Sequence, residues 1–159
     1  MKKSTDKTWQ DVSWGNIDPA RSYKYKLKCD PTKSIDLFFY DGAISKSVAF
    51  DELLKDGNKF INRLKDGVSE LRDYPQLINI ATDGESYGHH TKFGDMALSY
   101  VLKIKAEDEG FKITNYAEYL DKYRSNYEVD IKQASSWSCC HGVGRWKEDC
   151  GCSTGGHPG

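Results

Sequence analysis

Gln76-Leu77-Ile78-Asn79-Ile80-Ala81 runs straight into Thr82-Asp83-Gly84-Glu85-Ser86-Tyr87-Gly88-His89-His90. The first six residues follow Pro75 and are apolar at most positions, as in a strand covered on both sheet faces. The next nine are mostly polar or small, and a region of helical spacing follows them. Strand, polar loop, helix is the repeating unit of α/β sheets, whose ligand sites gather beyond the carboxyl ends of the strands. Asp83 and Glu85 therefore stand where chemistry is expected. Gly84 and Gly88 permit a tight turn that aims neighbouring side chains. His89 and His90 immediately precede the helical region, so their backbone N–H groups are expected to face an anion or an oxygen-rich ligand. A Thr-Asp-Gly-Glu turn is also ordinary loop chemistry. The loop by itself leaves both a catalytic and a purely structural reading open.

Working outward, Phe93, Met96, Ala97, Tyr100, Val101 and Ile104 form an apolar stripe at helical spacing. Thr91 is the expected N-cap and Gly110 the expected C-cap. Phe111-Lys112-Ile113-Thr114-Asn115 predicts a short strand, and Tyr116 to Tyr123 a short helix. Tyr127-Glu128-Val129-Asp130-Ile131 alternates like a half-exposed strand. Upstream, Ile35-Asp36-Leu37-Phe38-Phe39-Tyr40 predicts a buried strand ending in the turn Asp41-Gly42. Phe50, Leu53, Leu54, Ile61, Leu64 and Val68 are spaced for one helix face. Gly57 weakens that helix by about 1 kcal/mol relative to Ala. The alternation predicts an α/β fold, a mostly parallel sheet with covering helices. Residues 1–33 are polar with scattered aromatics (Trp9, Trp14, Tyr23, Tyr25) and show no period, so they are expected to form an extended N-terminal arm. Residues 34–134 hold the α/β region. Residues 135–159, rich in Gly, Cys and Ser, are expected to form an irregular tail that ends in mid-loop, as either a fragment of a longer chain or a free loose tail would.

The 159 residues suffice for one hydrophobic core, and 38% hydrophobic with 30% charged residues is ordinary globular composition. A net charge of −1 gives no basic excess for nucleic-acid binding. No apolar run reaches membrane-spanning length, and no apolar stretch follows the basic start Met1-Lys2-Lys3, so a cytoplasmic location is expected. Aromatic residues make up 13%, a composition common where sugars bind but equally common in cores.

Four of the five cysteines, Cys139, Cys140, Cys150 and Cys152, cluster beside His141, while Cys29 stands far away. An odd, clustered set is unlike a secreted disulfide framework. Thiolates and an imidazole suit zinc, but adjacent Cys-Cys and Cys-Gly-Cys differ from the usual C-x₂-C pairs. Structural metal, a local disulfide and plain thiols all stay open. The sequence assigns no metal and no cofactor. Trp137 and Trp146 read either as sugar-stacking platforms or as plugs pinning a loop. Trp137 is taken as a candidate substrate contact, and Arg145 as a surface residue.

Asp83-Gly84-Glu85-Ser86-Tyr87-Gly88-His89 resembles the Asp-x-Glu-x-(aromatic)-Gly-His segment of glycoside hydrolase family 57. Further stretches, in order, resemble a poorly characterised branch of that superfamily carrying a domain of unknown function. They are Leu37 to Gly42, Ala81 to Glu85, Gly88-His89-His90, Phe93 to Ala97, Thr114-Asn115-Tyr116, Ser136 to Cys139, His141-Gly142-Val143 and Asp149 to Cys152. The resemblance implies an incomplete (β/α)7-type barrel and retaining hydrolysis or transfer at α-glucan-type bonds. It places the general acid/base on Asp83, with Glu85, His89 and His90 in the substrate shell. The expected partner is an oligo- or polysaccharide. The family's nucleophile is a Glu on a strand well upstream. Asp41, Glu52 and Glu70 are the upstream acids considered for that role, and none carries its motif. The implied consequence is a C-terminal portion of a catalytic region, inactive alone, completed by the remainder of the barrel or by a second copy.

Two other readings are consistent with the same residues. A metal-dependent polysaccharide deacetylase holds its ion with one Asp and two His, and Asp83, His89 and His90 supply those types. Adjacent histidines, however, normally diverge. A non-catalytic glucan-binding or structural module also fits.

Overall fold

The computed structural model describes residues 1–132 and 141–152. The chain divides into two compact units, Met1–Val129 and Asp130–Gly159. The first holds a four-stranded sheet of β1 (Lys2–Lys3), β2 (Ser22–Lys26), β3 (Ser34–Phe38) and β4 (Tyr127–Glu128), in the order β1-β4-β2-β3. β2 and β3 are antiparallel, with Tyr23 opposite Leu37 and Tyr25 opposite Ile35. β1 and β4 are also antiparallel. β2 and β4 run parallel, meeting at Lys24 and Glu128. The fold is mixed α/β, but the sheet is mixed and not mostly parallel.

The reason lies in the two segments expected to supply parallel strands. Gln76–Ala81 is extended but builds no ladder. A Leu77 N–H to Ala20 carbonyl bond of 2.9 Å anchors it on one side, and an Asp41 N–H to Asn79 carbonyl bond of 2.6 Å on the other. These two isolated backbone bonds hold it without making it a sheet member. Residues 111–115 also stand outside the sheet. β2 and β3, in contrast, are joined by a tight connection closed by a Leu27 N–H to Lys33 carbonyl bond of 3.0 Å. So short a connection dictates antiparallel neighbours.

β2 falls within residues 1–33, where no strand period is visible. Tyr23 places it there. Its side chain is fully buried, its hydroxyl donates to the Asp18 carbonyl at 2.7 Å, and its ring packs edge-on against Phe39 and Tyr127. The Arg21 guanidinium lies 3.4 Å from the Tyr74 ring centre and 4.4 Å from that of Tyr127. Arg21 and Arg72 each reach the Asp18 carboxylate at 3.3 Å, and the Tyr74 hydroxyl donates to it. Burial pushes the Asp18 carboxyl up, but the bonds from Tyr74 and the Ala20 amide, with the two arginines, hold it below its ordinary value.

The expected helix over Phe50–Val68 is instead a series of shorter pieces. α1 (Gly42–Phe50) starts where the Asp41 carboxylate accepts the Ile44 N–H. A single 3₁₀ turn follows at Leu53–Lys55. α2 (Gly57–Lys65) starts where Asp56 accepts the N–H groups of Asn58 and Lys59. Each Asp satisfies donors that a helix start leaves unpaired. Glu52, at φ 57°, takes the chain out of the right-handed helical region. Gly57 opens α2, where a Cβ would come within 2.5 Å of Tyr100 Cδ1. That close approach, not helix breaking, is the reason for glycine there.

α3 (Gly94–Tyr100) continues through a π-helical turn, Val101–Lys105, into α4 (Ala106–Asp108). Gly110, at φ 78°, ends it: Phe111 N–H returns to the Ala106 carbonyl and Gly110 N–H to that of Glu107. α5 (Tyr116–Lys122) is capped by Asn115. Val48, Leu54, Phe60, Ile61 and Val101 form the core, with Leu64, Ile80, Leu98 and Phe111 packed on it. Phe50, expected on the buried face, is 78% exposed. Among the described residues no helix is long and apolar enough to cross a membrane. In the second unit α6 (Gly144–Lys147) is a single turn.

Candidate active site

The extended segment 76–81 delivers the chain to Asp83. Asn79, polar in an apolar run, is buried, and its side-chain carbonyl accepts the Tyr116 hydroxyl at 2.5 Å while its main-chain carbonyl holds the Asp41 amide. Ser45, buried on α1, accepts the Ala81 N–H on its hydroxyl at 3.1 Å. These two polar side chains fix the base of the loop. Sequence reading did not single them out, although an Asn inside Leu-Ile-Asn-Ile is a visible anomaly.

Asp83 then begins a 3₁₀ turn over Gly84–Tyr87. The Ser86 N–H donates to the Asp83 carbonyl at 3.1 Å, and Ser86 is buried. Thr82 Oγ1 donates to the Tyr87 hydroxyl at 3.0 Å, and Tyr87 packs on the core. Gly94 closes the base, since a Cβ there would lie 3.1 Å from Leu54 and 3.2 Å from both the Ser86 carbonyl and Tyr87 Cα. The turn is thus pinned by Ser86, Tyr87 and Gly94, while Asp83, Glu85, His89 and His90 all face solvent. The Asp83 carboxylate takes no capping hydrogen bond from its own turn.

Three expectations for this loop are corrected. The N–H groups of His89 and His90 do not face a ligand: both donate to the Glu85 carbonyl, at 3.0 and 2.9 Å. The helix begins at Gly94, with Phe93 and not Thr91 at the cap position. Neither Gly84 nor Gly88 has a left-handed φ, and a Cβ at either would meet nothing within 4 Å, so the turn does not depend on glycine there. The His89 and His90 rings meet edge-to-face, 5.0 Å between centres.

The arrangement presents one carboxylate, a second two residues on, and two imidazoles from one loop, all exposed. That suits proton transfer and hydrogen bonding to a polyhydroxylated ligand. It does not suit a deacetylase-type metal site. Among the described residues the one group of three metal-ligand side chains that converge is His141, Cys150 and Cys152, and Asp83, His89 and His90 do not form another. Trp137, with Cys139 and Cys140, lies outside the described residues. A cavity of about 610 Å³ is lined by Phe60, Leu64, Ile80, Leu98, Val101 and Phe111 among others, and none of the loop residues 82–90 contributes to it. Of the upstream acids, Asp41 is committed to the α1 cap and Glu52 pairs with Lys55 at 2.5 Å.

The sequence model of one family, described as Glycosyl hydrolase family 57, matches residues 5–132, which include the whole Asp83 loop. No curated protein and no solved structure matches the chain.

Proposed function

The chain belongs to glycosyl hydrolase family 57, and from that premise we propose that it contributes the acid/base half of a retaining active site working on α-glucan-type bonds. The observation that carries this reading is the family match across a loop that presents Asp83 unburdened by its own turn. Retention requires two carboxyl groups about 5–5.5 Å apart. On this reading Asp83 protonates the leaving oxygen and then takes a proton from water. Glu85, His89 and His90 bind sugar hydroxyls. The α-glucan substrate and the (β/α)7-type barrel are supported by the resemblance of the Asp-x-Glu-x-(aromatic)-Gly-His segment.

The nucleophile, on the same reading, belongs to a part of the catalytic region that these 159 residues do not carry. Engagement of Asp41 and Glu52 elsewhere supports this. The test is a pair of assays on maltooligosaccharides. The 159-residue chain is expected to give no turnover. The longer parent chain is expected to turn over with retained configuration and to lose activity on Asp83→Asn. Turnover by the short chain that survives Asp83→Asn would overturn the assignment.

A further inference from the structure

We propose that His141, Cys150 and Cys152 form a binding site for a zinc-type divalent cation that orders the second unit. One ligand atom from each residue lies within 4.8 Å of the other two, and His141 Nδ1 is 3.2 Å from Cys152 Sγ. Around tetrahedral zinc, with bonds of about 2.3 Å to sulfur and 2.0–2.1 Å to nitrogen, ligand atoms stand roughly 3.5–3.8 Å apart. The observed spread therefore needs only small side-chain adjustments to close on an ion. Two thiolates and an imidazole select a borderline-soft cation over magnesium or calcium, which take oxygen ligands.

Local backbone geometry creates the convergence. The chain coils immediately after His141, with Gly144 N–H donating to the His141 carbonyl at 3.1 Å and Glu148 N–H to the Gly144 carbonyl at 2.9 Å. This coil returns Cys150 toward His141. Gly151 sits at φ 69°, and its N–H is held by the Asp149 carboxylate at 2.9 Å. That bend between Cys150 and Cys152 uses a region of backbone space that glycine alone enters freely, and it leaves both thiols beside the imidazole.

A second observation points the same way. None of the described residues of this unit is buried, and its large apolar side chains Val143 and Trp146 are 60% and 74% exposed. Among its described residues the unit shows no buried apolar side chain, and a structural metal is one source of folding free energy for so small a unit. The sequence alone assigned no metal, because adjacent Cys-Cys and Cys-Gly-Cys departs from familiar spacing. The fold shows that the Cys-Gly-Cys half is joined by His141 across a helical turn.

The whole 159-residue chain, kept reduced, is loaded with zinc, dialysed and analysed for metal, and separately titrated with cobalt(II). One equivalent of retained zinc and a tetrahedral cobalt spectrum with thiolate charge-transfer bands are expected. C150S, C152S and H141N are each expected to lose stoichiometric binding, while C29S keeps it. Reduced wild-type chain that retains no zinc, or a C150S/C152S double variant that still retains one equivalent, would overturn the site. Hydrogen exchange on wild-type chain provides a readout independent of any substitution. Removal of zinc by a chelator is expected to deprotect residues 141–152 and leave 1–129 unchanged. Equal protection of 141–152 with and without zinc would overturn the ordering role.

Discussion

Asp83 sits at φ −64° and ψ 142° at the start of its turn, with its carboxylate making no bond to the turn. Removing its charge should therefore leave folding almost untouched. Asp83→Asn is expected to shift stability by no more than about 0.5 kcal/mol, measured by thermal melting. On the proposed reading the same change should lower kcat of a chain that also carries the nucleophile by about 10²–10⁴, the usual worth of a positioned acid/base group. Ser45 offers the opposite case. Ser45→Ala removes the acceptor of the Ala81 N–H and should cost about 0.5–1.5 kcal/mol. Faster amide exchange at Ala81 would report it, and the candidate catalytic groups are not altered. The polar loop itself was legible in the sequence, because Asp, Glu and two His follow an apolar run without a break. Ser45 was not, because its role arises from a contact between α1 and a segment more than thirty residues away. No local pattern encodes such a contact.

The helices show how a correct period can mark only part of the buried face. The stripe Phe93, Met96, Ala97, Tyr100, Val101, Ile104 predicts a helix, and a helix is present. Val101 is buried as the stripe implies, but Phe93, Met96 and Ile104 are exposed, and Gly94 and Ala106, outside the stripe, are buried. Val101 and Ala106 are five residues apart, joined by the i→i+5 bond of the π turn. One extra residue in that turn rotates everything after it, so Ala106 and not Ile104 or Lys105 faces inward. Spacing arguments assume a uniform helix and cannot show this. The same scale explains Gly57, which reads as a weak point of one long helix but is the contact of α2 with Tyr100. Gly57→Ala gains little helix propensity, since Gly57 is the first residue of α2, and should lose about 1–3 kcal/mol to overpacking. The expected net result is a lower urea midpoint, partly restored when Tyr100→Ala is added.

For the whole molecule, the α/β class was legible from alternating apolar runs and helical stripes, but strand direction was not. The short connection makes β2 and β3 antiparallel, while β4 lies parallel to β2, beside a cluster of Tyr23, Arg21 and Asp18 that ties residues before β2 to Tyr74 and β4. Asp18 of this cluster and Glu128 of β4 both contribute to acid stability. Asp18 is held below its ordinary 3.8 by the balance described above. Glu128 is held below its ordinary 4.5 by the hydrogen bond from Lys26, against the upward push of burial, with Lys2 assisting. Both groups have depressed folded values. Their contribution is complete above the ordinary values and is lost as pH falls through the folded ones. The denaturation midpoint is expected to hold steady above pH 4.5 and to drop below it, with a shallower fall in Asp18→Asn.

The strand order β1-β4-β2-β3 also has a consequence in time. β2 and β3 are neighbours in sequence and can pair as soon as both leave the ribosome, but the other edge of β2 waits for Tyr127 and Glu128. At 5–20 residues per second that delay is roughly 5–20 s. Through it the Arg21 guanidinium has Asp18 and the Tyr74 ring but not the Tyr127 ring, and β1 lacks its partner strand. A nascent chain released before residue 127 carries the complete Asp83 loop and most of the helical core beside a half-finished sheet. Such a truncated product is a natural client for chaperones, and its open β2 edge is where a second chain would pair.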